Sequence, residues 1–300
     1  MKYDIIIIGC GPAGMTSAIY ALRSGKSVLI LEKESIGGQI ARSPLVENYP
    51  GYSSISGAEL SNNLYEQVIN LGGEIALEEV VEIKVGKEKE IITTDNSYVA
   101  SAIIIATGAR HRLLGLPNEQ ELIGNGIHFC VSCDGAFYKD KTVCVIGGGN
   151  SAVINALTLS DICKKVIVVQ DLSDLTAEKK LASKLKEKQN VEIFYKSKVK
   201  EIIGEDELES IIIENALEQE IETDGMFISI GLVPESNFIK NLIKVNSYNY
   251  IESDNSCNTN IEGIFVAGDV RSKKVRQLTT AVNDGTIAAI EAMEYIDNLR

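Results

Sequence analysis

The chain opens on a continuous apolar run, Ile5-Ile6-Ile7-Ile8, whose β-branched content predicts a strand from Tyr3 to Ile8 buried on both faces. A Gly-rich turn follows, then helical spacing through about Ser24 and a second strand from Ser27 to Leu31 that ends on Glu32. From Ser56 to about Leu71 apolar residues recur at Leu60, Leu64, Val68 and Leu71, which predicts a helix capped by Ser56 and stopped by Gly72-Gly73. Alternating stretches around 80–85 and 90–94 predict a β-meander, and Ala102 to Ala106 a buried strand ending in Thr107-Gly108. The opening order then recurs: a strand from Thr142 to Ile146, a Gly-rich turn, a helix, and a strand from Val166 to Val169. Met226 to Ile230 would complete this second unit. Another buried strand leads into Gly268-Asp269, and Gln277 to about Leu299 closes the chain as an amphipathic helix.

This pattern predicts an α/β protein with two Rossmann-like, three-layer ββα nucleotide-binding domains, the second inserted into the first. The expected division is 1–115 and 243–300 for the first domain and 116–242 for the second, with Gly115-Leu116-Pro117 as the first junction. The first turn, Gly9-Cys10-Gly11-Pro12-Ala13-Gly14, has its strand, helix and acid in register. Gly9 permits the turn, Gly11 lets backbone approach a pyrophosphate, Gly14 allows close helix packing, and Glu32 falls where it can accept from a ribose diol. Gly147-Gly148-Gly149-Asn150-Ser151-Ala152 repeats the skeleton.

Composition narrows the function. A chain of 300 residues that is 45% hydrophobic and 24% charged reads as an ordinary globular protein of about two domains. A net charge of -13 argues against nucleic acid, whose phosphates demand a basic face. No stretch suits a membrane span or a signal peptide, and six cysteines without a secretory signal fit a reducing cytoplasm. Four of the six are scattered singly. The other two form Cys130-Val131-Ser132-Cys133-Asp134-Gly135, a CxxC pair with an acid directly behind it. Such a pair closes a small-loop disulfide that can exchange with others. The alternative is half of a zinc site with His128 as a third ligand, but no second closely spaced pair supplies the usual four ligands. No metal is therefore expected.

In these motifs the chain resembles the low-molecular-weight thioredoxin reductases, FAD-dependent pyridine nucleotide-disulfide oxidoreductases of class II, over essentially its whole length. The matching stretches include GCGPAG, GGQ at Gly37 to Gln39, VENYPG at Val46 to Gly51, IATGA at Ile105 to Ala109, CVSCDG, GGGNSA, AGDV at Ala267 to Val270, and Arg276-Gln277. The resemblance implies a homodimeric flavoenzyme that passes electrons from FAD to its own disulfide and on to thioredoxin. Carried over residue by residue, FAD contacts fall on Gly9, Gly11, Pro12, Ala13, Gly14, Glu32, Gly38, Gln39, Asn48, Gly108, Gly268, Asp269, Arg276, Gln277 and Leu278. Cys133 becomes the thiol that faces the flavin, Cys130 the one that attacks the partner disulfide, and Asp134 the proton shuttle. The family also swings its smaller domain, which would place hinges at Gly115 to Pro117 and near Asn241.

One departure bears on the electron donor. Where the family reads the 2'-phosphate of NADPH with cations, this chain has Gln170, Asp171, Leu172 and Thr176, and two acids usual in the following helix are replaced by Ile154 and Asn155. The resemblance therefore points to the ferredoxin-dependent flavin thioredoxin reductase branch. NADH, with Asp171 accepting from a ribose, is the runner-up. A flavin-dependent dithiol oxidase using oxygen and a flavin-binding redox sensor complete the alternatives. Arg271-Ser272-Lys273-Lys274-Val275-Arg276, the densest basic stretch, reads either as a docking patch for an acidic carrier or as a solvated loop.

Overall fold

The computed structural model describes residues 1–43 and 45–299 and divides the chain into two compact units. Unit 1 comprises Met1–Arg110 and Val233–Arg300, and unit 2, His111–Leu232, is inserted between them. The chain runs β1 (Lys2–Ile8), α1 (Pro12–Arg23), β2 (Val28–Glu32), α2 (Gly57–Asn70), β3 (Glu74–Leu77), β4 (Val80–Val85), β5 (Lys89–Thr93) and β6 (Ser97–Ile105). Next come β7 (Ala109–His111), β8 (Ile127–His128), α3 (Val131–Asp134), β9 (Thr142–Ile146), α4 (Asn150–Ser160), β10 (Lys165–Val169), α5 (Lys179–Lys186) and β11 (Val191–Phe194). The remainder is β12 (Lys198–Ile203), β13 (Ser210–Glu214), β14 (Glu218–Glu222), β15 (Gly225–Ile228), β16 (Leu232–Pro234), β17 (Ile264–Val266) and α6 (Leu278–Asn298).

In unit 1 the sheet order is β3-β2-β1-β6-β5-β4, with β17 pairing β6. β1 lies at its centre, parallel to both β2 and β6. Its alternate residues face opposite layers: Ile5 and Ile7 pack with α1 and α6, whereas Ile6 and Ile8 pack with Ile103, Ile105, Ile239 and Ile251. Both faces are dry, which is why the run is apolar without alternation. Each fully buried isoleucine contributes roughly 1.5–3 kcal/mol. The two helices approach closely because α6 presents Gly285 and Ala288, Ala289 and Ala292 to α1, and a Cβ at Gly285 would lie 2.3 Å from the Ala13 carbonyl oxygen. Ser56 caps α2 as its position predicts, accepting from the Glu59 amide at 3.1 Å.

Unit 2 has a parallel sheet of order β11-β10-β9-β15-β8 and a separate antiparallel meander β12-β13-β14. Val143, Val145, Val166 and Val168 face the helical layer with α4, while Cys144, Ile146, Ile167 and Val169 face the meander through Ile202, Ile211, Ile213 and Ile221. Helices, sheet and meander are the three layers.

The units divide at Arg110/His111 and Leu232/Val233, where the sequence places junctions at 115/116 and 242/243. Gly115 to Pro117 is tied into unit 2 by Glu119. Its buried carboxylate accepts from the amides of Leu114 at 2.7 Å, Gly115 at 2.7 Å and Leu116 at 3.3 Å. Ile239 and Ile243, flanking Asn241, belong to the core of unit 1. Among the described residues no helix is long and apolar enough to cross a membrane.

Candidate functional site

Unit 1 gathers a cradle at the carboxyl ends of β1, β2 and β6. Gly9 turns with φ 107° against β6, where a Cβ would lie 2.4 Å from the Ala106 carbonyl oxygen. A Cβ on Gly14 would lie 2.0 Å from the Gly9 carbonyl oxygen, so α1 leaves the turn at close range. Gly11 is the opposite case. Nothing lies within 4 Å of its Cβ position, and as N-cap of α1 it offers no side-chain cap. With no acid in the first turn either, the amides of Ala13 and Gly14 and the positive end of the helix are left for an anion. Pro12 at the first helical position removes an amide the helix could not use.

Three of the remaining predicted contacts, Glu32, Gly38 and Gly268, reach this turn or the start of α1. Glu32 reaches it with Oε2 accepting from the Cys10 amide at 2.8 Å and Oε1 from the Glu34 amide at 2.9 Å, so the carboxylate is held rigidly at the strand end. Gly38 opens the short helical turn Gly38–Arg42 that carries Gln39, and its Cβ position is 3.3 Å from the Gly11 Cα. Gly108 sits just after β6 at φ 72° with open space around it. Gly268 comes against α1, its Cβ position 3.0 Å from the Ala13 Cβ. Behind it, Asp269 Oδ1 is buried without a hydrogen-bond partner, with Lys273 Nζ at 3.5 Å, and burial holds the carboxyl above its usual range. Such an orphaned acceptor beside a helix N-terminus suits the hydroxyls of a dinucleotide. Arg276 lies over the Tyr250 ring at 4.0 Å and donates to the Asp269 carbonyl, Gln277 caps α6 in a reciprocal capping box, and Leu278 packs with Val46 and Ile55. Asn48 is exposed on the turn beyond Val46.

The basic stretch is not a solvent-facing patch. Arg271 and Lys273 are each only 12% exposed and both pair with the buried Asp284, at 2.9 Å, while the Asp284 carboxylate also accepts from the Gly268 amide. Lys274 alone among its four cations is exposed. The docking reading fails for Arg271 and Lys273 because two buried cations answer one buried carboxylate, and their charge is spent inside unit 1.

In unit 2, Cys130 and Cys133 are joined as a disulfide with Cα atoms 5.2 Å apart. Cys130 is the N-cap of α3, and its carbonyl accepts from the amides of Cys133 at 3.1 Å and Asp134 at 2.9 Å. The turn thus sets both sulfurs at one end and folds Asp134 beneath them. Asp134 is buried and faces His128 Nδ1 at 3.4 Å, while His128 Nε2 hydrogen-bonds Tyr138 Oη at 2.7 Å. His128 is thereby engaged with an acid and a phenol. Among the described residues no group of three or more His, Cys, Asp or Glu side chains is placed to hold a metal.

The second Gly-rich turn has a different fate from the first. Gly147 again turns at positive φ, 123°, but the face of Gly148 is covered by the chain itself. A Cβ there would fall 2.4 Å from Cδ and 2.5 Å from Nε2 of Gln170, a side chain only 4% exposed that donates to the Asp174 carbonyl at 3.1 Å. The Gly148 carbonyl accepts from the amides of Thr176 at 2.8 Å and Ala177 at 3.1 Å, and Asn150 Oδ1 accepts from the Glu178 amide at 2.7 Å. Asp171 and Leu172 are exposed, Ile154 is exposed on the N-terminal half of α4, and Asn155 donates to Ser229 Oγ. The signal for the Gln170 seat was present in the sequence only as an uncharged residue where a cation was expected.

Known proteins share this chain's sequence and fold. Residues 3–285 match the family model of the pyridine nucleotide-disulphide oxidoreductases. The chain is 44% identical to the 34.2 kDa protein in the rubredoxin operon of Clostridium pasteurianum, covering 98% of this chain and 97% of that one. It is 41% identical to the thioredoxin reductase of Bacillus subtilis, covering 99% and 96%. Among solved structures, the thioredoxin reductase of Streptococcus pyogenes superposes with a TM-score of 0.95 at 41% identity over 99% of both chains.

Proposed function

The chain belongs to the pyridine nucleotide-disulphide oxidoreductase family, as a thioredoxin reductase-type enzyme with FAD as its cofactor, and we propose that it reduces thioredoxin with electrons from a ferredoxin-like one-electron protein. The carrying observation is the burial of Gln170 on Gly148. A pyridine dinucleotide needs that backbone face, and a 2'-phosphate would meet Asp171 in place of a cation. Binding one would expel a buried amide from its hydrogen bond and break the contacts of Thr176 and Ala177 to the Gly148 carbonyl. The name of the Clostridium relative, which sets it in a rubredoxin operon, supports a small iron protein as donor.

In unit 1 the Ala13 and Gly14 amides would hold the FAD pyrophosphate, Glu32 a ribose and Asp269 Oδ1 a further hydroxyl. Gly9, Gly38, Gly108 and Gly268 would keep the cradle free of side chains, and Gln39, Asn48, Arg276, Gln277 and Leu278 would flank it. When bound, FAD collects electrons singly and delivers them in pairs to a disulfide. Cys133 receives them, Cys130 attacks the disulfide of thioredoxin, and Asp134 protonates the departing thiolate. A homodimer belongs to the same reading.

The test is anaerobic. NADPH, NADH and reduced ferredoxin are added separately to the oxidised protein while the visible absorption of the flavin is followed. Rapid bleaching by reduced ferredoxin alone is expected. Bleaching by micromolar NADH or NADPH, with none by ferredoxin, would overturn the donor. Net oxidation of dithiols with consumption of oxygen would reverse the direction.

A further inference from the structure

We propose that His128 and Tyr138 form a proton relay that recharges Asp134 from an opening of unit 2 lined by Tyr138, so that the CxxC disulfide is reduced with protons drawn through the domain. This rests on the disulfide reductase reading. Opening the Cys130–Cys133 bond takes two electrons and two protons: one S–S bond breaks and two S–H bonds form. A one-electron protein donor is oxidised without giving up a proton, so both protons come from water. Asp134 is largely buried, with 12% of its side chain exposed, so its direct exchange with bulk solvent is restricted.

The structure supplies a route. Asp134 Oδ2 lies 3.4 Å from His128 Nδ1, and His128 Nε2 lies 2.7 Å from Tyr138 Oη. His128 and Tyr138 are each 7% exposed. The Phe227 ring, 5.4 Å from each of theirs, completes an apolar wall around them. Tyr138 then lines an opening of about 330 Å³ with Asn125, Lys141, Asp206, Glu207 and Asp224. Its ring can seat there only because residue 225 is glycine, for a Cβ would lie 2.3 Å from Tyr138 Cε1. One end of the chain of groups therefore adjoins Cys133 in sequence, and the other lines the opening.

In the working direction Asp134 gives its proton to the leaving sulfur. His128 Nδ1–H re-protonates Asp134 while Nε2 accepts the hydroxyl proton of Tyr138, and water in the opening returns a proton to Tyr138. The charged groups facing Tyr138 are Asp134 on the inner side and Lys141, Asp224 and Glu207 at the opening. Burial first, and then these carboxylates, push the Tyr138 hydroxyl up to about 12, so it passes its proton on only in concert with one returned from the opening. The carboxylates at the mouth outnumber the single ammonium and favour proton entry.

His128 and Tyr138 act through Asp134 and are positioning residues. The oxidised holoenzyme is driven through repeated turnover under anaerobic conditions with a one-electron dye reductant and an excess of a small dialkyl disulfide, and thiol release is followed from about pH 6 to about pH 9 in water and deuterium oxide mixtures. Tyr138→Phe keeps the ring and removes only the hydroxyl. It should slow release about tenfold at the alkaline end, less than the ~10²- to 10⁴-fold worth of a general acid itself, and converge on the parent at the acid end. The parent's curved dependence of rate on deuterium fraction should become linear. His128→Ala should show the same loss and regain rate when imidazole is added, which a merely structural role would not produce. A Tyr138→Phe enzyme with the parent's pH profile and curved isotope dependence overturns the relay and leaves the reductase reading standing. A parent that releases no thiol overturns both.

Discussion

The two sulfurs of the disulfide have unequal surroundings: Cys130 caps α3 and touches Ser132 Oγ at 3.3 Å, whereas Cys133 sits within the turn with Asp134 behind it. If Cys130 is the attacking thiol, Cys133→Ser should trap a one-to-one mixed disulfide with a single-cysteine thioredoxin supplied as its disulfide with a small aromatic thiol, that aromatic thiolate leaving as the bond forms, visible by intact mass. Cys130→Ser should trap none. The reverse result would exchange the two roles. A second single-residue prediction concerns His111, whose ring stacks on Phe129 with centroids 4.4 Å apart and whose pKa burial lowers to about 4. Because the unfolded chain takes up the proton near pH 6.5 and the folded one only near 4, His111 contributes stability that is present above about 6.5 and lost as pH falls toward 4. The loss is on the order of 2–3 kcal/mol. His111→Phe, which preserves the stack, should make the urea midpoint of unit 2 less sensitive to acidification between pH 7 and 5.

Among the elements, the join between α6 and the loop before it depends on one carboxylate. Asp284 of α6 answers Arg271, Lys273 and the Gly268 amide, so it anchors both the glycine that meets α1 and the segment that presents Asp269. Asp284→Ala strands two largely buried cations, and removing one partner of such a group costs about 3–5 kcal/mol. The expected outcome is a lower urea midpoint together with loss of bound flavin on gel filtration. Lys274→Glu, at an exposed position, should change neither. The end of β10 shows the same dependence on a single neighbour. Gln170 leaves the sheet and turns onto Gly148, and this one side chain separates the second Gly-rich turn from a working nucleotide cradle.

For the molecule as a whole, each unit has its own two-sided core, and each holds the two crossing stretches of chain side by side. In unit 1 the Glu235 amide donates to the Gly108 carbonyl at 3.0 Å, and in unit 2 the Arg112 amide donates to the Gly231 carbonyl at 3.1 Å. Unit 2 made alone as residues 111–232 should therefore fold and retain its disulfide, with no flavin. Joining Arg110 to Val233 through a linker of about four glycines, short enough to cost little loop entropy, should give a folded unit 1 that binds FAD as tightly as the full chain. Flavin absorbance and calorimetry would check both, and an excised unit 1 that fails to fold would make the two units interdependent.

The order of amino acids alone reveals what contiguous residues encode. The β1-α1-β2 unit, the β9-α4-β10 unit, the Ser56 cap and the CxxC turn are each made by neighbours in sequence, since helix and turn hydrogen bonds span a few residues and a strand's burial shows in its own apolar run. The β12-β13-β14 meander is not legible in that way. β12 carries a register shift between Val199 and Glu201 that breaks its alternation, and β14 has a single apolar residue, Ile221, among acids and an amide. The remaining decisions belong to tertiary packing: that Arg271 and Lys273 turn inward to Asp284, that Gln170 lies on Gly148, and that His128 and Tyr138 line up behind Asp134. Each depends on which side chains sheet register and helix packing bring within a few ångströms. Residue type and spacing show that a group can carry charge or a proton, but only the packed neighbours determine whether water, a ligand or another part of the same chain satisfies it.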